Sequence, residues 1–201
     1  MKQTTTEGII PPPVNFGLIH WPCLNQNGEI ICTNVTNFDI HDIARASRSF
    51  GIERYYIINR IQEQLMFVHR VLDHWRVGEG SEHNPMRKTA IGMVRTAETL
   101  EGALDDHPVK PLLIATSARS SDEYPSITFK ALREKIWSEA EGNPNPRPTL
   151  IVFGTGWGLH SSVLKQCDYV LEPIKGSSPD DYRHLSVRSA ASIVLDRLLG
   201  Q

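Results

Sequence analysis

The chain has 201 residues, 40% of them hydrophobic and 22% charged, enough to bury one substantial core and too few for two large domains. Lysine and arginine number 21 against 23 aspartates and glutamates, a formal charge of -2; general attraction to nucleic acid is thereby excluded, and any RNA site must be a local patch. No apolar stretch approaches the about 20 residues that cross a bilayer, so no membrane span is expected.

The opening MKQTTTEGIIPPP lacks the apolar run of a secretory signal and reads as a flexible tail over 1–12. A cytoplasmic protein with a single domain over 13–201 is expected. Cys23, Cys32 and Cys167 have no paired spacing and are read as free thiols. They form no zinc spacing with His20 or His41, so no metal is expected.

In chain order, VNFGLIHW (14–21) reads as a strand, NQNGE as an Asn-Gly turn and EIICTNV as a second short extended run. From Asn37 the period changes to 3.6: Ile40, Ile43, Ala44, Ser47 and Phe50 share one face, Asn37 or Asp39 is the expected cap, and Gly51 ends the helix. IERYYIIN is a buried strand. The next helix puts Ile61, Leu65, Val68, Leu72 and Trp75 on one face, and VGEGSEHNP follows as a loop. IGMVRTA reads as a strand, ETLEGALDDH as a helix and KPLLIATSA as a strand. After a Ser/Asp/Pro loop come a helix around ITFKALREKIWSEA, the stiff linker NPNPRP and the strand TLIVFG. HSSVLKQC as a short helix, DYVLEPI as a strand and LSVRSAASIVLDRLLG as a long helix complete the chain. Alternation throughout predicts an α/β fold with a mainly parallel sheet flanked by helices.

Three clusters carry candidate chemistry. In VFGTGWGL, Gly154, Gly156 and Gly158 follow the end of a strand, where glycine lets backbone amides approach a ligand. A dinucleotide fingerprint needs a glycine where Leu159 stands, and no Gly-Lys-Ser/Thr follows for a P-loop. The bland alternative is a glycine-rich turn. The second cluster, DYVLEPIKG followed by the final helix, places another loop at a strand's carboxyl end, where open α/β sheets bind ligands. In the third, His41, Arg45 and Arg48 form a polar stripe on the first helix opposite its apolar face. Arginine suits bidentate phosphate contact, which makes His41 and Arg48 candidate RNA contacts; a solvated helix face is the ordinary explanation of such a stripe.

Together, in this order, the clusters resemble the three motifs of the SPOUT superfamily of S-adenosylmethionine (SAM)-dependent RNA methyltransferases. Asn37, the helix and Arg45 before SRSFGI resemble the first motif, LIVFGTGWGL the second, and VLEPIKG with HLSVRSAASIVLDRL the third. The likeness runs from about Val14 nearly to the end, and it is greatest to the small single-domain bacterial and archaeal branch. It implies a C-terminal trefoil knot, SAM as cofactor, RNA (tRNA or rRNA) as substrate, and a homodimer with the active site at the subunit interface. Carried over by position, Ala115 and Thr116 are a cofactor-lining strand end. Phe153, Gly154 and Gly156 belong to the second motif, Gly154 as a backbone contact. Glu172, Pro173 and Ile174 form the cofactor loop, Leu185 and Val187 belong to the third motif, and Arg45 is the catalytic arginine. Trp157, Ser186 and Arg188 depart from the family pattern.

Methyl transfer from a sulfonium requires alignment rather than a metal. Arginine stays protonated, so Arg45 is read as holding a phosphate or the attacking oxygen and stabilising developing charge. A side chain at Gly154 is expected to enter the ligand's space. The alternatives are a knotted SAM- or RNA-binding regulator without catalysis and a flavodoxin-like nucleotide-binding protein.

Overall fold

The computed structural model describes residues 11–201; residues 1–10 of the expected tail lie outside the described residues. The strands are β1 (Val14–Leu24), β2 (Ile30–Ile31), β3 (Tyr55–Ile58), β4 (Val94–Ala97), β5 (Leu112–Thr116), β6 (Ser126–Ile127), β7 (Thr149–Gly156) and β8 (Tyr169–Leu171). The helices are α1 (Asn37–Ser49), α2 (Gln62–Arg76), α3 (Gly80–His83), α4 (Pro85–Gly92), α5 (Leu100–Asp105), α6 (Phe129–Ala140), α7 (Ser161–Leu164) and α8 (Val187–Leu199).

The sheet runs β4-β3-β1-β7-β5-β8-β6, every neighbour in that order parallel, with β2 antiparallel to β1. The central strands read as continuous apolar runs because both faces are covered. Phe16, Leu18, Tyr55, Ile57, Ile114, Ile151 and Phe153 point to the face packed by α1, α2, α4, α6 and α8. Ile19, Tyr56, Ile58, Leu113, Leu150 and Val152 point to the face packed by α5 and α7. The alternation expected of the chain is therefore a three-layer α/β/α molecule.

Several boundaries depart from the sequence expectation. Thr36 caps α1, its hydroxyl oxygen accepting from the Asp39 amide at 3.2 Å; neither Asn37 nor Asp39 is the cap, because both already lie inside the first turn. The expected strand IGMVRTA begins too early: Ile91 and Gly92 finish α4, a helix that starts at Pro85 with Asn84 as its cap. Gly80–His83, read as loop, forms the one-turn α3. β8 stops at Leu171, short of the expected Glu172–Ile174, where Pro173 has no N–H to donate to a ladder.

Candidate functional site

The carboxyl ends of β5, β7 and β8 open into a cavity of about 550 Å³, within the usual size range of small-molecule sites. Thr116 ends β5 at its wall, Phe153, Gly154 and Gly156 bring in the end of β7, and Leu171 comes from β8. Glu172 and Ile174 follow β8, while Leu185, Val187, Ala190 and Val194 approach along the start of α8. Segments far apart in sequence meet here because β7 inserts between β1 and β5, and β8 pairs with β5 on its other side. Of the expected cofactor residues, Ala115 and Pro173 do not line the cavity. Ala115 is fully buried and belongs to the core on the α5/α7 face; it alternates with Thr116, so the two side chains point to opposite faces. Pro173 is buried between Glu172 and Ile174, which reach the cavity.

The glycines act differently from the expectation. A Cβ on Gly154 would come within 2.8 Å of the Leu159 amide nitrogen. The side chain would strike the returning loop, so its absence lets the loop fold back on its strand. Gly156 has φ +60°, and a Cβ there would meet the Leu24 carbonyl at 2.8 Å. The loop is thereby tied to the end of β1, with the Trp157 amide donating to Leu24 O and the Leu24 amide to Gly158 O, both at 2.9 Å.

A half-buried polar chain reinforces this tie. Thr155 donates to Ile19 O at 3.2 Å and lies 2.5 Å from the Thr33 hydroxyl, which lies 2.8 Å from His20 Nδ1. With the Thr155 proton used on Ile19, Thr33 must donate to Thr155, and His20 Nδ1 therefore donates to Thr33. His20 Nε2 is left as a bare, buried acceptor. Burial pushes His20 down to about 4, only partly opposed by Asp39, so the ring is neutral at pH 7.

Two residues that depart from the family pattern have structural roles. Ser186 caps α8, accepting from the Ser189 amide at 3.2 Å. Arg188 clamps α8 onto α1, its Nη1 3.4 Å from Asp39 Oδ1 and its Nε 3.5 Å from Asp42 Oδ2. Glu172 accepts from the Phe129 amide at 2.6 Å, holding the start of α6.

Arg45 and His41 are brought together, away from this cavity: they line a second one between α1, α2 and α4. Arg48, one turn further along α1, is exposed and lines neither. The stripe read from spacing is thus only two residues long where other helices face it. Sequence reading passed over Arg119, Phe129, Arg183 and His184, which also line the first cavity; they lie in, or next to, irregular segments whose placement no periodicity announces. Cys23, Cys32 and Cys167 are free, and burial raises all three thiols, Cys167 to about 12. Among the described residues, no helix is long and apolar enough to cross a membrane.

A cavity at the carboxyl edge of a parallel sheet, walled by a glycine-rich loop and the start of the last helix, defines a ligand-binding α/β protein. Comparison narrows the class. A family model described as SAM-dependent RNA methyltransferase matches residues 13–200, and the chain belongs to that family. An uncharacterised protein of Aquifex aeolicus is 38% identical over 193 residues, 94% of this chain and 89% of that protein. A tRNA (guanine-N(1)-)-methyltransferase of Oleidesulfovibrio alaskensis is 41% identical over 187 residues, 91% of this chain but 41% of that enzyme, so the chain spans less than half of this relative. The crystal structure of a probable methyltransferase from Bordetella pertussis has a TM-score of 0.62 at 16% identity, covering 93% of this chain and 94% of that one; at that identity the likeness concerns the fold. TrmJ from Z. mobilis and the SpoU methyltransferase AviRb from Streptomyces viridochromogenes share it, with TM-scores of 0.59 and 0.53. The expectation of a SAM-dependent RNA methyltransferase is borne out, with SAM as cofactor and RNA as substrate class. The regulator and flavodoxin-like alternatives are set aside.

Proposed function

We propose that this chain works as a homodimer that methylates a nucleotide of tRNA or rRNA, holding SAM in the cavity at the ends of β5, β7 and β8. The observation that carries the proposal is the convergence there of all three carboxyl-terminal segments singled out by sequence. The residues present fit the cofactor. Phe129, Phe153, Leu171, Ile174 and Val194 supply an apolar wall for an aromatic base. Glu172 has one carboxylate oxygen engaged by Phe129 N, leaving the other for a hydroxyl or ammonium group. The amino end of α8 favours a carboxylate. When bound, SAM supplies a methyl group activated by its sulfonium.

What remains for the protein is orientation and charge. Arg45, permanently protonated, orients the attacking oxygen or its neighbouring phosphate and stabilises charge that develops during transfer. Within one chain Arg45 lines the other cavity, so Arg45 of the partner subunit completes each site. A C-terminal trefoil knot and a cytoplasmic location belong to the same proposal; the return of α8 from β8 to pack on α1 and α6 is in keeping with such threading.

The test is transfer of labelled methyl from SAM to total tRNA and rRNA. Incorporation is expected. Arg45→Ala is expected to keep SAM affinity by calorimetry and lose about 10²- to 10³-fold in kcat. Full turnover by Arg45→Ala would remove its role, and SAM binding without label in either RNA would overturn the function.

A further inference from the structure

The second cavity, about 590 Å³ between α1, α2 and α4, has a chemistry unlike the first. Arg45, Arg70 and Arg87 converge on it from three helices, together with His41 and His74. The centre is Trp75. The Arg87 guanidinium carbon lies 4.6 Å from the Trp75 ring centroid, and the His41 and His74 rings meet that ring edge-on at 5.4 and 5.1 Å. Stacking on an aromatic face fixes a guanidinium without consuming its N–H donors. Arg87 Nε and His41 Nδ1 are both buried without a hydrogen-bond partner.

Nothing anionic balances the three arginines. Among the described residues none of them takes part in an ion pair. The one acid lining the cleft, Asp42, is already held by Arg188 at 3.5 Å. In a chain of net charge -2, this is a local positive field aimed into a concavity. Phe38 and Phe67, 66% and 38% exposed, edge it, giving apolar surface beside the cations.

Resting on the RNA-methyltransferase reading above, we infer that this cleft binds the phosphate backbone of the substrate RNA, with Arg70 and Arg87 as contacts in addition to Arg45. Guanidinium forks match phosphate oxygens bidentately, and the exposed phenylalanines suit the apolar faces of an adjoining sugar or base. The cleft answers the question raised by composition, since it supplies the local patch that an acidic chain needs.

The experiment titrates the full chain and its variants with total tRNA between about 50 and 200 mM salt. Arg70→Gln and Arg87→Gln are each expected to weaken binding at least about tenfold and to reduce the slope of log affinity against log salt by about 0.7 to 0.9. SAM affinity and Tm should stay unchanged in Arg70→Gln, and Arg87→Lys, which keeps the charge but loses the planar fork, should restore the wild-type salt slope while recovering only part of the lost affinity. Lys88→Gln removes an exposed cation of α4 outside the cleft and should change nothing. The site is overturned if Arg70→Gln and Arg87→Gln keep the wild-type slope, if Lys88→Gln loses as much, or if the loss tracks dissociation of a dimer, which would make Arg70 and Arg87 subunit contacts rather than RNA contacts. Failure of the wild type to bind or methylate tRNA or rRNA while binding SAM would instead overturn the RNA reading, and this site with it.

Discussion

His20 shows how a single buried side chain makes the fold sensitive to acid. Its ring is fully buried and pushed down to about 4 by burial, against 6.5 in the ordinary state. Below pH 6.5 the unfolded chain takes up a proton that the folded chain refuses until about pH 4. Stability present above pH 6.5 is therefore lost as pH falls through that window, by up to about 3 kcal/mol. His41 and His107, also lowered chiefly by burial, act in the same direction. Urea unfolding at several pH values should show the loss, and His20→Gln should flatten it; an unchanged pH dependence would assign the effect elsewhere. Gly156 is the other sensitive residue. Its φ of +60° and the Leu24 carbonyl 2.8 Å from any added Cβ make Gly156→Ala cost about 2 kcal/mol, roughly 4 to 8 °C in Tm, with weaker SAM binding as the loop is displaced. A variant melting with the wild type would show that the loop relaxes freely. The glycine spacing was legible in sequence, but its reason was not: the clashes are with Leu159 and Leu24, the latter more than 100 residues away in the chain.

At the scale of elements, the contact between α1 and α8 ties the helix whose start walls the first cavity to the helix that carries Arg45. The Asp39 side chain is 9% exposed and that of Arg188 36%, between a buried pair, whose breakage is costly, and a surface pair, which contributes little. Arg188→Ala is expected to cost about 1 to 2 kcal/mol, and a double-mutant cycle with Asp39→Asn should return a clear coupling energy. Additive losses would mean that the two helices are held by apolar packing alone. Most helices were readable because their buried faces repeat at 3.6 residues, as Ile40, Ile43, Ala44 and Ser47 do in α1. α4 was missed although it carries a start signal, Asn84 as cap with Pro85 in the first position. Its last buried apolar residue, Ile91, runs on into the apolar strand that follows and reads as the start of it.

For the whole molecule, Arg45 lines the second cavity and not the first, which makes assembly the decisive question. Light scattering at micromolar concentration should give a twofold dimer; a monomer that methylates RNA would remove the need for a second subunit. Complementation asks it more directly. Arg45→Ala lacks the arginine, while Ala190→Trp fills the cavity that Ala190 lines. Each alone should be nearly inactive, and mixed dimers should regain one intact site of two, roughly a quarter of wild-type activity in an equal mixture. No recovery after subunit exchange would place both functions within a single chain.

The amino-acid sequence by itself determined the alternation of strands and helices, the apolar faces that make both cores, and the second and third motifs. These are consequences of local physics: side-chain period, backbone freedom at glycine and the missing donor of proline act within a few residues. It also placed His41 and Arg45 on one stripe, since i and i+4 share a helix face. Tertiary structure alone decided that β7 lies between β1 and β5, which brings three distant segments to one cavity. It alone left Ala115 and Pro173 off the lining of the first cavity and Arg48 off the lining of both, and joined Arg70 and Arg87 to Arg45 beside Trp75. Those outcomes depend on strand order and on how helices cross. Both are settled by contacts between residues far apart in the chain, which spacing and propensity do not encode.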